Sequence, residues 1–192
     1  MKKIFVIAVA AALSLSASAQ HKFAHVNMQE LVQLMPEMDA ARATMNASSK
    51  EAQDTYQTMV DEFQSKYQKY QQTGASLSAA TKEAREKELT DIQTRIQEFE
   101  QSVQQELQQQ QQQLMAPIMQ KAQKTVENLA KSAGFIYVFD VASVLFIDPA
   151  QSTDLTPAAR ELLGIKPGRT LESLQAELQA QAQAQAAAPE KK

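Results

Sequence analysis

The chain lacks cysteine and tryptophan and contains only four glycines in 192 residues. The absence of cysteine excludes disulfide bonds, thiol catalysis and metal sites built on thiolates. Few glycines together with abundant glutamine and alanine are typical of long helices rather than of a thick layered core. We therefore expect a mainly α-helical protein.

Long apolar runs are also missing, except at the start of the chain. Two lysines precede an apolar stretch at residues 4–15, which has the length of a signal-peptide core and is short for a membrane span. Small residues follow at Ala17 and Ala19, the positions that a signal peptidase reads. We predict that residues 1–19 are a signal peptide cleaved between Ala19 and Gln20, and that the mature protein is soluble in the periplasm.

Excess positive charge is absent as well. The formal net charge is −3, and removal of the two signal-peptide lysines makes it −5. An acidic chain offers no basic surface for nucleic acid, so we expect no nucleic-acid partner. There is no glycine-rich phosphate loop, and the two histidines, His21 and His25, have no partner motif. We predict that the protein is not an enzyme and has neither a cofactor nor a metal site.

Two long segments, residues 37–73 and 75–133, contain no glycine and are separated by Gly74. Within each segment, apolar residues recur at steps of three and four, which is the spacing of a coiled-coil seam. Charged and glutamine residues occupy the other faces. The sequence therefore predicts a helical hairpin over residues 37–131.

The link between the two helices predicts the geometry of the tip. A short connection brings two helices back antiparallel, so we place the tip near residues 73–80, with a turn at the glycine. Ser78 or Thr81 is expected to cap the returning helix. Pro117 interrupts that helix and removes one backbone hydrogen bond, so we predict a kink that acts as a hinge.

Segments on both sides of the hairpin have the β-branched and aromatic residues of strands, at 23–27, 135–139 and 144–147. Three short strands cannot stabilise a hairpin of this length by themselves, and a small sheet leaves two edges open. We therefore predict an oligomer that closes through a β-containing body formed by residues 20–36 and 132–165. The residues expected to form this oligomerisation body are Phe23, Val26, Ile136, Val138, Val144 and Phe146.

Short helices are predicted near the strands. Residues 28–34 form one, ended by the proline that follows. A later helix is expected to start at Thr156 as its cap and to stop at Gly164. Residues 166–192 are rich in alanine and glutamine, and apart from a turn or two of helix at 170–178 we expect a flexible tail.

The order of these motifs resembles a known family. Phe-Ala-His-Val-Asn-Met-Gln-Glu at 23–30, Met-Pro-Glu at 35–37 and the following hairpin resemble the opening of the Skp/OmpH family of periplasmic chaperones. Phe-Ile-Asp at 146–148 and Asp-Leu-Thr at 154–156 resemble its end. The resemblance covers about residues 20–165. It implies a homotrimer with a barrel-like body and three helical arms, whose cavity holds unfolded outer-membrane β-barrel proteins without ATP.

The chain departs from that pattern in its charge. Familiar members of the family are basic, whereas this mature chain is acidic. The segment from the predicted tip into the returning helix, residues 74–87, has three basic and two acidic side chains and therefore little net charge. We do not expect the tip to contact lipid or lipopolysaccharide.

Methionines and aromatic residues on the hairpin are candidates for contact with clients. Methionine is flexible and polarizable, so a surface that carries it fits many apolar partners. The alternative is that these side chains fill the seam between the helices, which we expect of Met45 and Phe63. The candidate client-binding residues are Met59, Val60, Tyr67, Tyr70 and Leu77.

A second function remains open. Long helical hairpins also serve as structural coiled-coil adaptors or spacers in the cell envelope. This alternative predicts one specific folded partner and no protection of unfolded chains.

Overall fold

The structure is a computed structural model that describes residues 22–187, with side chains described through residue 184. The predicted signal peptide, with its cleavage site between Ala19 and Gln20, lies outside these residues, as does the end of the chain from residue 188. None of the helices in the described part is both long enough and apolar enough to cross a membrane.

The fold is mainly α-helical, with a long helical hairpin and a small sheet, which confirms the predicted fold class. Two short 3-10 turns also occur, at Gly74–Ser76 and Val141–Ser143. The elements are β1 (Phe23–Val26), α1 (Met28–Leu34), α2 (Pro36–Thr73), α3 (Ala79–Ala133), β2 (Tyr137–Asp140), β3 (Ser152–Asp154), α4 (Thr156–Leu162) and α5 (Leu171–Ala187).

The chain forms two compact units. The first, which we call the hairpin unit, comprises residues 37–118 and contains most of α2 and the larger part of α3. The second, the sheet unit, combines the described residues up to 36 with those from 119 onward. All three strands and the short helices belong to the sheet unit.

The sheet has three parallel strands in the order β2-β1-β3, with β1 in the centre. Phe23 pairs with Tyr137 on one side and with Ser152 on the other. Parallel strands need a long crossover connection, and the helices from α1 to α3 supply it between β1 and β2. The start of the described chain therefore lies between two strands that follow the hairpin in sequence.

One face of the sheet is packed into a core. Ala24 of β1 is fully buried and lies against Ala130 of α3 and Leu155. Val138 of β2 packs against the same cluster, and Val26 is buried too. Alternate residues of a strand face the same side, so these small and β-branched residues form the inner face of the sheet.

The junction between α1 and α2 follows from local chemistry. The side chain of Asn27 accepts a hydrogen bond from the backbone amide of Glu30 at 2.9 Å and caps α1. Met35 is extended, with ψ of 142°, as expected of a residue before proline. Pro36 then occupies the first position of α2, where its missing N–H costs nothing. The predicted helix at 28–34 and its end are confirmed.

The tip of the hairpin agrees only in part with the prediction. Ser78 accepts a hydrogen bond from the Thr81 amide at 3.3 Å, so Ser78 caps α3 as expected. The turn itself is a 3-10 turn in which Leu77 N–H bonds to the carbonyl of Gly74. Gly74 does not adopt a positive φ, and a Cβ there would make an ordinary contact with the ring of Tyr70. The turn therefore does not depend on the conformational freedom of glycine.

The predicted third strand is wrong. Residues 144–147 are irregular, and Leu145 is fully exposed. The third strand is instead Ser152–Asp154, three polar residues that pair with β1 through their backbones. High β-propensity describes side chains that suit a half-buried pleated surface, and residues 144–147 have no strand neighbour within the described part of the chain. β2 also begins later than predicted, at Tyr137.

The C-terminal segment differs from the expected flexible tail, because α5 extends from Leu171 to Ala187. Thr170 and Ser173 exchange hydrogen bonds between side chain and backbone and cap its start. α5 packs against α1, and Leu174 of its first turn is buried. Alanine and glutamine have good helix propensity, so the helix continues beyond this anchor without an apolar stripe.

Candidate functional site

The sheet face opposite the core carries a row of aromatic rings. Phe23 stacks on Tyr137 with ring centroids 6.2 Å apart, and Tyr137 stacks on Phe139 at 6.1 Å. The three residues are 37%, 60% and 45% exposed, respectively. We call these three residues the outer sheet face. A contiguous exposed aromatic surface on so small a sheet is a candidate interaction site.

Further apolar residues are exposed on either side of β2 in sequence. Ile136 precedes the strand and is half exposed. The side chain of Asp140 accepts a hydrogen bond from the Ala142 amide at 3.2 Å and fixes the 3-10 turn that follows the strand. Beyond this turn, Leu145 and Phe146 project almost completely into solvent. The open apolar surface of the sheet unit therefore extends beyond the outer sheet face.

The six residues predicted for the oligomerisation body divide into a pair that faces the core and four that are exposed in the single chain. Val26 and Val138 face the core of the single chain, so their burial needs no second copy. Their participation in an oligomer stays a prediction, as it does for the other four. The remaining residues are partly or fully exposed: Phe23, Ile136, Val144 and Phe146.

Sequence reasoning missed two residues of the outer sheet face, Tyr137 and Phe139. The alternation Tyr-Val-Phe-Asp over residues 137–140 was the available signal, because it assigns both aromatic residues to one face of a strand. The alternation does not reveal which of the two faces of the strand is buried against the core. The position of the core, on the side of Val138, decides that.

Hydrogen bonds join the start of the sheet unit to its end. The backbone amide of Asn27 donates to Thr156 Oγ1 at 3.0 Å, and the amide of Leu155 donates to the carbonyl of His25 at 2.9 Å. Thr156 was predicted to cap α4, but it is the first residue of that helix, and its hydroxyl holds the β1–α1 junction. His25 Nδ1 lies 2.8 Å from the hydroxyl of Ser152. The described residues contain no group of three or more side chains placed to hold a metal ion.

The five predicted client-binding residues all lie in the hairpin unit. Tyr67 is exposed and stacks on Phe63, with ring centroids 5.9 Å apart. The hydroxyl of Tyr70 donates a hydrogen bond to Glu86 across the hairpin, which raises the pKa of Tyr70. Each of the five keeps part of its apolar surface open, and their contact with a client stays a prediction. The half-buried members of the set are Met59, Val60, Tyr70 and Leu77.

Ion pairs join the two helices near the tip. Lys66 of α2 pairs with Glu88 of α3, and Arg95 of α3 pairs with Glu62 of α2 at 3.2 Å. The hydrogen bond from Lys66 lowers the pKa of Glu88, and the same bond raises the pKa of Lys66. Lys66 follows Glu62 along α2, whereas its partner Glu88 precedes Arg95 along α3. The two helices therefore run antiparallel.

Pro117 lies inside α3, which continues from Ala79 to Ala133. Proline has no N–H and cannot donate to the carbonyl of Gln113, so the helix lacks one backbone hydrogen bond there. The role of Pro117 as a hinge stays a prediction.

Comparison with known proteins shows relatives that cover most of the chain. Residues 22–163 match the family model described as outer membrane protein (OmpH-like). The chain is 28% identical over 150 residues to the chaperone protein Skp of Yersinia enterocolitica, covering 76% of this chain and 88% of that protein. It is 25% identical over 149 residues to the chaperone protein Skp of Pectobacterium atrosepticum, covering 76% and 87%.

The fold is shared with a solved structure described as an OmpH-like outer membrane chaperone from Caulobacter crescentus CB15. The TM-score is 0.68 at 14% sequence identity, and the alignment covers 77% of this chain and 86% of the other. The family match includes every element from β1 to α4 and ends before α5. The chain therefore belongs to the OmpH-like outer membrane protein family.

Proposed function

We propose that the mature chain is an ATP-independent holding chaperone of the periplasm. It binds unfolded outer-membrane β-barrel proteins in a cavity between the helical arms of a homotrimer. The observation that carries the proposal is the open apolar surface along the hairpin of a chain whose curated relatives are named chaperones.

The arrangement of the hairpin suits a client without fixed structure. An unfolded chain presents apolar groups at irregular intervals, and flexible or aromatic side chains such as Met59 and Tyr67 accommodate them in many orientations. Individual contacts of half-buried side chains are weak, so the client is held without being folded. The acidic and glutamine-rich faces of the helices keep the complex in solution.

The outer sheet face supports assembly through the sheet unit. Phe23, Tyr137 and Phe139 expose aromatic surface in the single chain, and their exposed fractions of 37%, 60% and 45% leave only part of the roughly 150–250 Å² of a fully buried aromatic residue open to a second copy. A second copy seated there would remove much of this area from water. The trimeric state itself rests on the family resemblance.

The proposed location rests on the signal peptide predicted at residues 1–19. Expression of the full chain in a Gram-negative host, followed by osmotic-shock fractionation and mass measurement, tests it. A soluble periplasmic protein that begins at Gln20 is expected. Retention of the complete N-terminus in the membrane fraction would contradict the proposal.

The chaperone activity is tested by diluting a urea-unfolded outer-membrane β-barrel protein into buffer that contains the mature chain. Light scattering is followed without ATP. Suppression of scattering at about one trimer per client is expected. No suppression with several such clients would refute the holding activity and favour the structural adaptor, which binds a folded partner.

A variant series connects the activity to the hairpin. Val60→Ser combined with Tyr67→Ser removes two open apolar side chains from α2. Loss of about 1 kcal/mol of apolar contact corresponds to an affinity about fivefold lower. Gln64→Ser, an exposed polar position on the same helix, is the matched control and should leave the suppression unchanged.

A further inference from the structure

A groove opens between α2 and α3 in the middle of the hairpin unit, with a volume of about 200 Å³. α3 contributes an apolar wall of Phe99, Val103 and Leu107, side chains spaced at four residues on one face. α2 places the small side chains of Ser48 and Ala52 on the lining of the groove. The groove exists because two small residues interrupt the larger apolar side chains of the seam. We call it the mid-arm groove.

The rim of the mid-arm groove offers hydrogen-bond acceptors. Glu51 of α2 and Glu106 of α3 line it with exposed carboxylates, and neither forms an ion pair with the residues that the structure describes. Gln110 donates from Nε2 to the hydroxyl of Ser48 at 3.0 Å. The other amide atom, Gln110 Oε1, is buried and accepts no hydrogen bond within the described part of the chain. The two exposed carboxylates are the acceptors within reach of a ligand, and a ligand that brings donors and positive charge would pair with them.

The hairpin around the mid-arm groove is also negatively charged. Residues 43–61 and 96–118, which form the middle of the arm, contain six acidic side chains and one basic side chain, Lys50. Lys50 is already paired with Asp54 at 2.9 Å. Most of the basic residues of the hairpin unit lie nearer the tip, and four of them pair with acidic neighbours there: Lys66, Arg85, Lys87 and Arg95. The middle of the arm therefore carries an uncompensated negative field.

We propose that the mid-arm groove binds lysine or arginine side chains of an unfolded client. Both have a long apolar stem and a cationic end, so the stem lies along the Phe99–Leu107 wall while the charged end meets Glu51 and Glu106. This inference rests on the proposed holding function and names the client class. The preferred clients are unfolded chains in which basic residues alternate with apolar ones.

Other side chains fit less well. An acidic side chain would bring like charge to the two carboxylates. A purely apolar or aromatic side chain would contact the wall but would gain no ionic interaction with the carboxylates of the rim. The groove therefore discriminates by charge, whereas the half-buried apolar residues nearer the tip do not.

The binding test uses three labelled, unstructured peptides of equal length that alternate leucine with lysine, serine or glutamate. Fluorescence anisotropy with the mature full-length chain measures their affinities at low salt and at 0.5 M salt. The lysine peptide should bind about tenfold more tightly than the glutamate peptide at low salt. High salt should reduce this preference, because it screens exposed charges.

Two double variants test whether the preference for the lysine peptide arises in the mid-arm groove. Glu51→Gln with Glu106→Gln should lower the affinity for the lysine peptide about fivefold and leave the serine peptide unchanged. Glu98→Gln with Glu100→Gln removes the same charge from the middle of the arm outside the groove. This control should change the affinity for the lysine peptide less than twofold. Both pairs replace exposed side chains, and helix content by circular dichroism verifies that they fold.

The outcomes separate the inference from the proposed function. Equal affinity for the lysine and glutamate peptides would overturn the inference, even if scattering of unfolded clients is suppressed. An equal loss in both double variants would also overturn it, since net charge rather than the groove would then set the preference. Groove-dependent binding of the lysine peptide without any suppression of scattering would instead support the site and refute the holding function.

Discussion

Gln110 of α3 hydrogen-bonds to Ser48 of α2, with Nε2 and Oγ 3.0 Å apart, at a level of the hairpin where a polar residue interrupts each apolar stripe. A polar pair within an apolar seam specifies which residues of two helices lie side by side, and it does so at a cost in stability. The cost is visible here, because Gln110 Oε1 is buried without a donor among the described residues.

Replacement of both members of this pair should stabilise the hairpin. Ser48→Ala with Gln110→Leu removes the buried polar atoms together, and we expect the free energy of unfolding to rise by about 1–2 kcal/mol. Ser48→Ala alone should lower it by about 1 kcal/mol, because Gln110 then loses its partner. Urea unfolding followed by circular dichroism measures both. A double variant less stable than the wild type would contradict this account of the seam.

A charge on the outer sheet face should prevent assembly. Phe139→Asp places a carboxylate beside Tyr137, where a second copy is proposed to sit, and the desolvation of that charge opposes association. Size-exclusion chromatography with multi-angle light scattering should show smaller species than the wild type. Leu178→Asp is the control, since this leucine has similar exposure, 39%, but lies on α5 beyond the family match. Equal masses for wild type and Phe139→Asp would refute the role of this face.

The Lys66–Glu88 pair should make the hairpin sensitive to acid and to strong base. Hydrogen bonding to Lys66 lowers the pKa of Glu88 below 4.5, so this carboxylate contributes stability above about pH 4.5 that is lost as the pH falls through the lowered pKa. The pKa of Lys66 is raised above 10.5, so its contribution is complete below that pH and is lost as the pH rises through the raised pKa.

Thermal melts across the pH range test this dependence. The difference in Tm between wild type and Glu88→Gln should be constant between about pH 5 and pH 10 and should shrink outside that window. Glu98→Gln serves as the control on the same helix, because Glu98 forms no ion pair with the residues the structure describes. A difference that stays constant down to pH 2 would show that the pair does not contribute.

Leu174 should anchor α5 to the sheet unit. It is 5% exposed, whereas Leu178, one turn later on the same helix, is 39% exposed. Leu174→Ala should lower the free energy of unfolding by about 2–3 kcal/mol, and Leu178→Ala by less than about 1 kcal/mol. Urea titration of both variants provides the comparison. Similar losses would mean that α5 is not held through its first turn.

Pro117 provides a test of flexibility in the arm. Pro117→Ala restores the missing backbone hydrogen bond of α3 and should stiffen the helix. If Pro117 acts as a hinge, the variant should protect a narrower range of client sizes in scattering assays with a series of unfolded β-barrel proteins. An unchanged range would rule out this role.

The hairpin was predictable because its information is local. The apolar period, the cap at Ser78 and the proline that ends α1 each act within a few residues, and the structure contains the hairpin, the cap and the helix end that they predict. The turn at Gly74 was predicted from the freedom of glycine to adopt a positive φ. The turn is present, but it is a 3-10 turn in which Gly74 has no positive φ. The length of α5 was underestimated, because the prediction gave more weight to the missing apolar stripe than to the helix propensity of alanine and glutamine.

The sheet was less predictable because its strands are defined by partners far away in sequence. Ser152–Asp154 is polar and lacks the composition of a strand, yet it pairs with β1. Residues 144–147 have that composition and do not pair within the described chain. The mid-arm groove could not be predicted from the sequence for a similar reason. Its prediction requires knowing that Ser48 lies opposite Gln110, which is distant in sequence.

The central position of β1 has a consequence for the order of folding. His25 and Ser152 are in contact although 127 residues separate them, whereas the hairpin closes through neighbouring turns. Local helical contacts form much faster than such distant pairings. The hairpin can therefore form before the three strands pair, so the outer sheet face, through which assembly is proposed, is completed last.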